Sequence, residues 1–405
     1  MQNLKSKYQV WMISRLDQST LLARYLKDNN QLIRWDTFIR FSKNSFLAKK
    51  IFIGSRRIVD EDLLDVPGNH YLPEILGKIV KFFKFKDFQK IKDIKLAEIS
   101  VKKIPKEFDI LHGQGNYSLE SGIAAQKRGK IFISEVSGQM GITRFNQLKD
   151  LYKKFNLPLQ IGLPILQKRR LTEAQISDAI ICPSEIVKKE LTKIGITDDK
   201  IYIVRHDSPI SKELLLLKSK SKESKQNLHI LNVGRVSIDK GIHHTIAIQK
   251  RLKKEGIKSE LHLVGPIIDN FLTKNTENQN IFFHGKVNKE RLKKFYDNAD
   301  IFLFPTYTEG AALSTFEAMA AELPVITTTS AGSIVENNVC GFVCSNGDEE
   351  EMYKQTLKLA TNINLRKEMA INSRITYKKK MIHGYGKSVC LVYKEILKKN
   401  KKNIN

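Results

Sequence analysis

The sequence predicts an α/β protein made of two doubly wound parallel-sheet domains. Three observations carry this. Strand-like apolar runs alternate with helix-like segments along most of the chain, as at 179–182, 184–194 and 200–204. Alternation of that kind lays parallel strands in one sheet with helices on both faces. It is interrupted once, at the polar stretch 218–227, and then restarts. The chain's 405 residues also exceed what one core usually supports, with 41% hydrophobic and 28% charged residues in the soluble globular range.

The elements follow in order. Residues 8–14 read as a strand and 18–27 as a helix, with Ser19 or Thr20 near its start. Residues 108–112 are a strand, 118–128 a helix, 130–134 a strand, and a helix runs around 171–179. The strand 179–182, the helix 184–194 and the strand 200–204 complete the first domain, with the apolar 214–217 packed on it. The first domain is thus 1–217. The linker, 218–227, begins Lys-Ser-Lys-Ser-Lys and has no periodicity. In the second domain, 228–385, strands fall at 228–233, 260–264, 281–283, 301–304 and 324–328. Helices fall at 241–255, 289–298 and 314–321. The last stretch, 386–405, is a helix expected to pack back toward the first domain, followed by a basic tail.

Composition excludes several classes. No apolar run is long enough to span a bilayer and no signal-peptide core opens the chain, so a cytoplasmic location is expected. Four cysteines make no disulfide scaffold. Cys340 and Cys344 have half the spacing of a metal site without a second ligand pair, and read as small buried residues. The net charge of +26 suits anionic partners, but the lysines are diffuse. No zinc-finger, RNP or helix-turn-helix pattern supports a nucleic-acid partner. Asp60-Glu-Asp62 has the form of an Asp-x-Asp metal motif but reads as a helix start, so no metal ligand is assigned.

Two stretches carry chemistry. The strand 301–304 leads through Glu309, Gly310, Ala311 and Ala312 into a helix that contains Glu317. A strand, a small-residue turn and a helix N-terminus hold anions, and carboxylates beside them imply a ligand that also has hydroxyls. The second stretch is Gly234-Arg-Val-Ser-Ile-Asp-Lys-Gly241. Gly234 ends a strand where a ligand can approach the backbone, and Arg235 and Lys240 suit a diphosphate.

Together, Gly-Arg-x4-Lys-Gly and Glu-x7-Glu resemble the donor domain of retaining GT-B glycosyltransferases of family 4 (glycosyl transferases group 1). Asp300, Pro305, the Phe-Glu-Ala-Met-Ala run at 316–320, Gly332, Glu336, Gly341 and Tyr393 fall in register. The resemblance implies the GT-B fold, two Rossmann-like doubly wound domains facing a central cleft. It also implies transfer of a hexose from a nucleotide sugar to a glycan or lipid-linked acceptor in cell-envelope polysaccharide synthesis, with no cofactor.

By position, Arg235 and Lys240 would neutralise the diphosphate, while Glu309 would accept from the sugar hydroxyls and Glu317 from the ribose hydroxyls. Backbone amides from Ala312 through Leu313 and Ser314 to Thr315 would bind the distal phosphate, and Gly285 and Val287 would lie along the base. His112 would reach the donor sugar, and Glu135 would meet the acceptor. Other readings stay open: His112 as a hydrogen-bonding cap, Glu309 as a nucleophile, or the same fold running an epimerase or phosphorylase reaction. Glu322 stands where the family usually has the glycine that ends its helix. The stretch 75–92 mixes Phe and Ile with Lys. It fits either an anionic membrane surface or a core helix with a lysine-rich outer face.

Overall fold

In the computed structural model, the described residues are 8–16, 18–42, 44–45, 58–82, 88–159, 164–217 and 227–402. The described residues form two compact units. The first takes them from 1–141, 160–205 and 383–405, the second from 142–159 and 206–382.

The first unit holds β1 (Val10–Ile13), β2 (Leu32–Phe38), β3 (Asn69–His70), β4 (Ile110–Gln114), β5 (Ile131–Glu135), β6 (Ala179–Cys182) and β7 (Ile201–Ile203). They pair in parallel in the order β3-β2-β1-β4-β5-β6-β7. Side chains alternate across a strand, so a central strand feeds two cores. Val10 and Met12 enter one cluster, with Leu22, Leu26 and Ile110. Trp11 and Ile13 enter the other, with Phe38, Phe108 and Phe132.

The second unit holds β8 (Leu228–Val233), β9 (Ser259–Val264), β10 (Ile281–Gly285), β11 (Ile301–Phe304), β12 (Val325–Thr328) and β13 (Gly341–Cys344). Their order is β10-β9-β8-β11-β12-β13, again parallel. Here Ile301 and Leu303 face one core, Phe302 and Phe304 the other.

The unit boundaries differ from those read in the sequence. The helix Gly141–Lys154 was not anticipated, and all but its first residue belongs to the second unit, because Leu148 and Leu151 pack with Ile230, Ile242 and Leu261. Leu214 likewise packs with Phe302 and Phe316 in the second unit, not in the first. The final helix, Gly384–Lys402, sends Tyr385, Val389, Tyr393 and Ile396 into the core of the first unit. The linker expected at 218–227 lies, apart from Asn227, outside the described residues. No helix among the described residues is long and apolar enough to cross a membrane.

Glu322 shows how the missing glycine is accommodated. It adopts φ +59° after the helix Leu313–Ala320, the left-handed conformation a glycine would take freely. Its side chain meets the Arg374 guanidinium at 2.8 Å, with both groups largely buried. The ion pair thus offsets backbone strain of about 1 kcal/mol. Removing one partner of a buried pair costs roughly 3–5 kcal/mol. Glu322→Ala should therefore lose about that much in urea unfolding. Glu322→Gly should lose about 1 kcal/mol less, because it also releases the strain. Equal losses would remove the strain from this account.

Candidate active site

The first wall of the site is the loop after β8. The Gly234 amide donates to the Val264 carbonyl at 3.0 Å, and Gly265 presses on the same loop. At Gly265 φ is +148°, and a β-carbon there would lie 1.8 Å from the Gly234 oxygen. Ile238, fully buried, anchors a short turn, Ile238–Lys240. Gly241 then adopts φ +68°, where a β-carbon would lie 1.9 Å from the Pro305 carbonyl oxygen. The next helix, Ile242–Lys254, starts immediately after it. Only glycine lets this loop close onto the end of β11.

Asp239 organises the charges of that loop. It is 2% exposed. One carboxylate oxygen accepts from the Ser237 hydroxyl at 2.5 Å and the other from Arg235 at 2.9 Å. Arg144 lies 3.4 Å from the second oxygen and Lys240 3.7 Å. The Asp239 carbonyl accepts from the Tyr307 amide at 3.0 Å and the Thr306 hydroxyl at 3.2 Å, which ties the loop to the chain leaving β11. Burial alone would raise the Asp239 carboxyl. Lys240, the Ser237 hydroxyl, Arg235 and Arg144 outweigh it and hold the group below its usual range. Arg235 and Arg144 remain about half exposed, so their planar heads stay open to an anion.

Lys240 is nearly buried and links the two stretches. Its ammonium lies 2.5 Å from Glu309 Oε1 and donates to the Thr308 carbonyl at 3.1 Å. The Glu309 amide donates to the Ser330 carbonyl, and the Ala312 amide to the Ala331 carbonyl. The turn Glu309-Gly310-Ala311-Ala312 is thereby pinned before the helix Leu313–Ala320.

This narrows the expected phosphate cradle. Ala312 spends its amide on Ala331, and Thr315 donates its own to the Ala312 carbonyl. The first-turn amides left for a ligand are those of Leu313 and Ser314. Glu317 accepts from Ser208 Oγ at 2.5 Å and from Tyr296 Oη at 2.6 Å. Burial raises its carboxyl, an effect these two hydroxyls only partly offset. Each oxygen keeps a second acceptor direction for a diol. At the end of β10, Gly285 has φ +61° with open space where a side chain would stand, and Val287 is half-buried beside it.

His112 and Glu135 belong to the first unit and are sealed. The His112 Nε2 atom lies 3.0 Å from Glu135 Oε2, and Nδ1 lies 2.8 Å from the Tyr393 hydroxyl. All three residues are at most 1% exposed. These groups, expected to reach the sugar and the acceptor, form a buried hydrogen-bonded chain in which both ring nitrogens have partners.

Asp60 and Asp62 serve Arg24, which donates to each at 2.7 Å and holds the Asp62 carboxyl down at about 2. Cys340 and Cys344 are buried, and burial raises both thiols. Two site residues escaped the sequence reading. Asp239 had a local signal, since it sits between Ser237 and Lys240 in a glycine-bounded turn. Arg144 had none, since it arrives from a helix ninety-five positions earlier.

Residues 216–376 match the family model described as glycosyl transferases group 1. The capsular polysaccharide biosynthesis glycosyltransferase CapM of Staphylococcus aureus is 33% identical over 156 residues, 36% of this chain and 40% of that protein. The chain thus spans less than half of that relative's length. Alpha-monoglucosyldiacylglycerol synthase of Acholeplasma laidlawii is 22% identical over 363 residues, 82% of this chain and 86% of that protein. The solved structure of Anabaena HepE in complex with UDP-glucose superposes with a TM-score of 0.62, over 98% of this chain and 100% of that one, at 14% identity. The fold is accordingly GT-B, two Rossmann-like parallel-sheet domains.

A carboxyl depressed on folding adds stability above its ordinary value, near 4, and that stability is lost as pH falls through the folded value. Asp239→Asn should therefore lower the unfolding free energy at pH 7 by roughly 1–3 kcal/mol. The gap to the unmodified protein should close as pH drops below about 4. Urea titrations at several pH values check this; a gap independent of pH would contradict it.

Proposed function

We propose that the protein is a retaining glycosyltransferase. It would move a hexose from a UDP- or GDP-sugar to a glycan or lipid-linked acceptor in the synthesis of cell-envelope polysaccharide. The observation that carries this is the joining of Arg235, Lys240, Glu309 and the start of the helix Leu313–Ala320 around two strand ends of one sheet. Group 1 similarity over the same residues supports it, as does HepE's complex with UDP-glucose.

In this reading the leaving diphosphate gains charge as the glycosidic bond breaks. Arg235, Lys240 and the amides of Leu313 and Ser314 meet that charge, which is the largest catalytic contribution. Glu309 accepts from sugar hydroxyls, Glu317 from the ribose, and Gly285 and Val287 flank the base. The leaving phosphate takes the acceptor's proton on the same face, so no protein nucleophile is needed. The ion pair with Lys240 makes Glu309 a poor nucleophile and favours a binding role. Because protein cations meet the diphosphate, turnover needs no added Mg²⁺ or Mn²⁺. His112 acts as a positioning residue, holding the middle of β4 through Glu135 and Tyr393.

Release of nucleoside diphosphate from a panel of UDP-, GDP- and ADP-sugars tests the reading. Arg235→Ala should lose roughly 2–4 kcal/mol of transition-state stabilisation, about 30- to 1,000-fold in kcat/KM. Glu317→Ala should mainly raise KM for the donor. Unchanged kinetics in both variants, or no turnover with any sugar nucleotide, would overturn the reading.

The acceptor side is proposed to meet an anionic membrane at the cytoplasmic face. Of 75–92, residues 83–87 lie outside the described residues. The helix Leu72–Phe82 exposes Leu72, Ile75 and Ile79 on one face, each about half exposed, with Tyr71 preceding them. An apolar stripe on a chain of net charge +26 suits such a surface. The aligned relative named for synthesis of a monoglucosyl diacylglycerol is consistent with a lipid-linked acceptor. Co-sedimentation should occur with anionic vesicles and not neutral ones, and Ile75→Asp with Ile79→Asp should weaken it. Equal partitioning to both vesicle types would contradict the proposal.

A further inference from the structure

Three strands of the second sheet carry a cluster that is given no part in the proposed transfer reaction, although His284 directly precedes Gly285. His229 lies near the start of β8, Glu260 and His262 lie on β9, and His284 lies on β10. The His229 Nδ1 atom is 3.1 Å from His262 Nε2. Glu260 Oε2 is 3.8 Å from the former and 3.5 Å from the latter. A tetrahedral ion with bonds of about 2.0–2.1 Å sets its ligand atoms roughly 3.3–3.4 Å apart. The three distances bracket that value.

The remaining atoms of these side chains are already oriented. His262 Nδ1 lies 3.1 Å from His284 Nε2, and Asn227 donates to Glu260 Oε1 at 2.8 Å. Such outer contacts fix the tautomer and aim of metal-binding groups. With Nδ1–H of His262 donating to His284, its Nε2 carries a lone pair toward His229 and Glu260. Only one proton can lie between His229 and His262, and a metal ion would take its place. The two rings stand side by side, with centroids 5.3 Å apart and planes within 6°. The side chains are 26%, 18% and 25% exposed, which gives an ion an entry path and leaves a position for water.

We infer that His229, Glu260 and His262 form a binding site for a divalent transition ion of the Zn²⁺ class, with His284 as a positioning residue behind His262. Two imidazoles and a carboxylate favour Zn²⁺, Co²⁺ or Ni²⁺ over Mg²⁺ or Ca²⁺. The ion would tie β8 to β9, and the site stands independently of the proposed transferase reaction.

The test uses the full chain without a histidine tag, titrated with Co²⁺ and followed by visible absorption, with Zn²⁺ as competitor. One ion per chain should bind, displaced by equimolar Zn²⁺, and Zn²⁺ should raise the unfolding temperature. Glu260→Gln and His262→Ala should weaken binding by more than about 100-fold, and His284→Ala by roughly 10- to 100-fold. Circular dichroism of the metal-free variants checks that each folds; Glu260→Gln, the mildest change, carries the decision if His262→Ala does not. Failure of the unmodified chain to bind Co²⁺, or unchanged affinity in Glu260→Gln, would overturn the site.

Discussion

One buried carboxylate sets the geometry of the loops that follow β8 and β11. Asp239 has almost no contact with solvent, yet two guanidinium groups, an ammonium and a hydroxyl converge on it. A buried charge is tolerable only when it is paired and hydrogen-bonded. That requirement explains several features together. The loop must be tight enough to bring Arg235 back over Asp239, so Gly241 is pressed against Pro305. The chain leaving β11 must come close enough to donate to the Asp239 carbonyl, which brings Glu309 to Lys240. The helix that carries Arg144 must pack on the second unit, with Leu148 and Leu151 in its core.

The charge balance around Asp239 bears on function. Asp239 and Glu309 offset two positive charges among Arg235, Lys240 and Arg144, and the half-exposed guanidiniums stay directed outward. A diphosphate arriving there would compete with Glu309 for Lys240 and free that carboxylate to accept from sugar hydroxyls. The same pair would then serve both halves of the proposed ligand. Glu317 is built differently, held by neutral hydroxyls in a dry setting. That arrangement suits a group whose partner is a neutral diol and not a phosphate.

Much of this was legible in the sequence, and the exceptions have physical causes. Strand β11 is buried on both faces, so it appears as a continuous apolar run, Ile301-Phe-Leu-Phe304. The Gly-Arg-x4-Lys-Gly and Glu-x7-Glu spacings picked out Arg235, Lys240 and Glu309, which the structure brings to neighbouring strand ends of one sheet, because loop and helix geometry is local. Strand β2 was missed because Arg34 and Asp36 interrupt it. Asp36 is nonetheless fully buried, at 2.6 Å from both Trp11 Nε1 and His70 Nε2, partners far away in sequence. His112 was read as the end of its strand, but β4 continues to Gln114, and the closure of His112 by Tyr393 depends on a contact 281 positions away. Glu322 took the conformation of the glycine it replaces because Arg374, on another helix, holds it there.

The central claim is that the Asp239-centred cations and the adjoining helix end form a diphosphate site. Calorimetric titration with UDP and UMP, and with GDP and GMP, addresses it most directly. The second phosphate adds charge-assisted contacts, so one diphosphate should bind at least about tenfold more tightly than its monophosphate. Equal affinity for mono- and diphosphates, or no binding of either, would contradict the account.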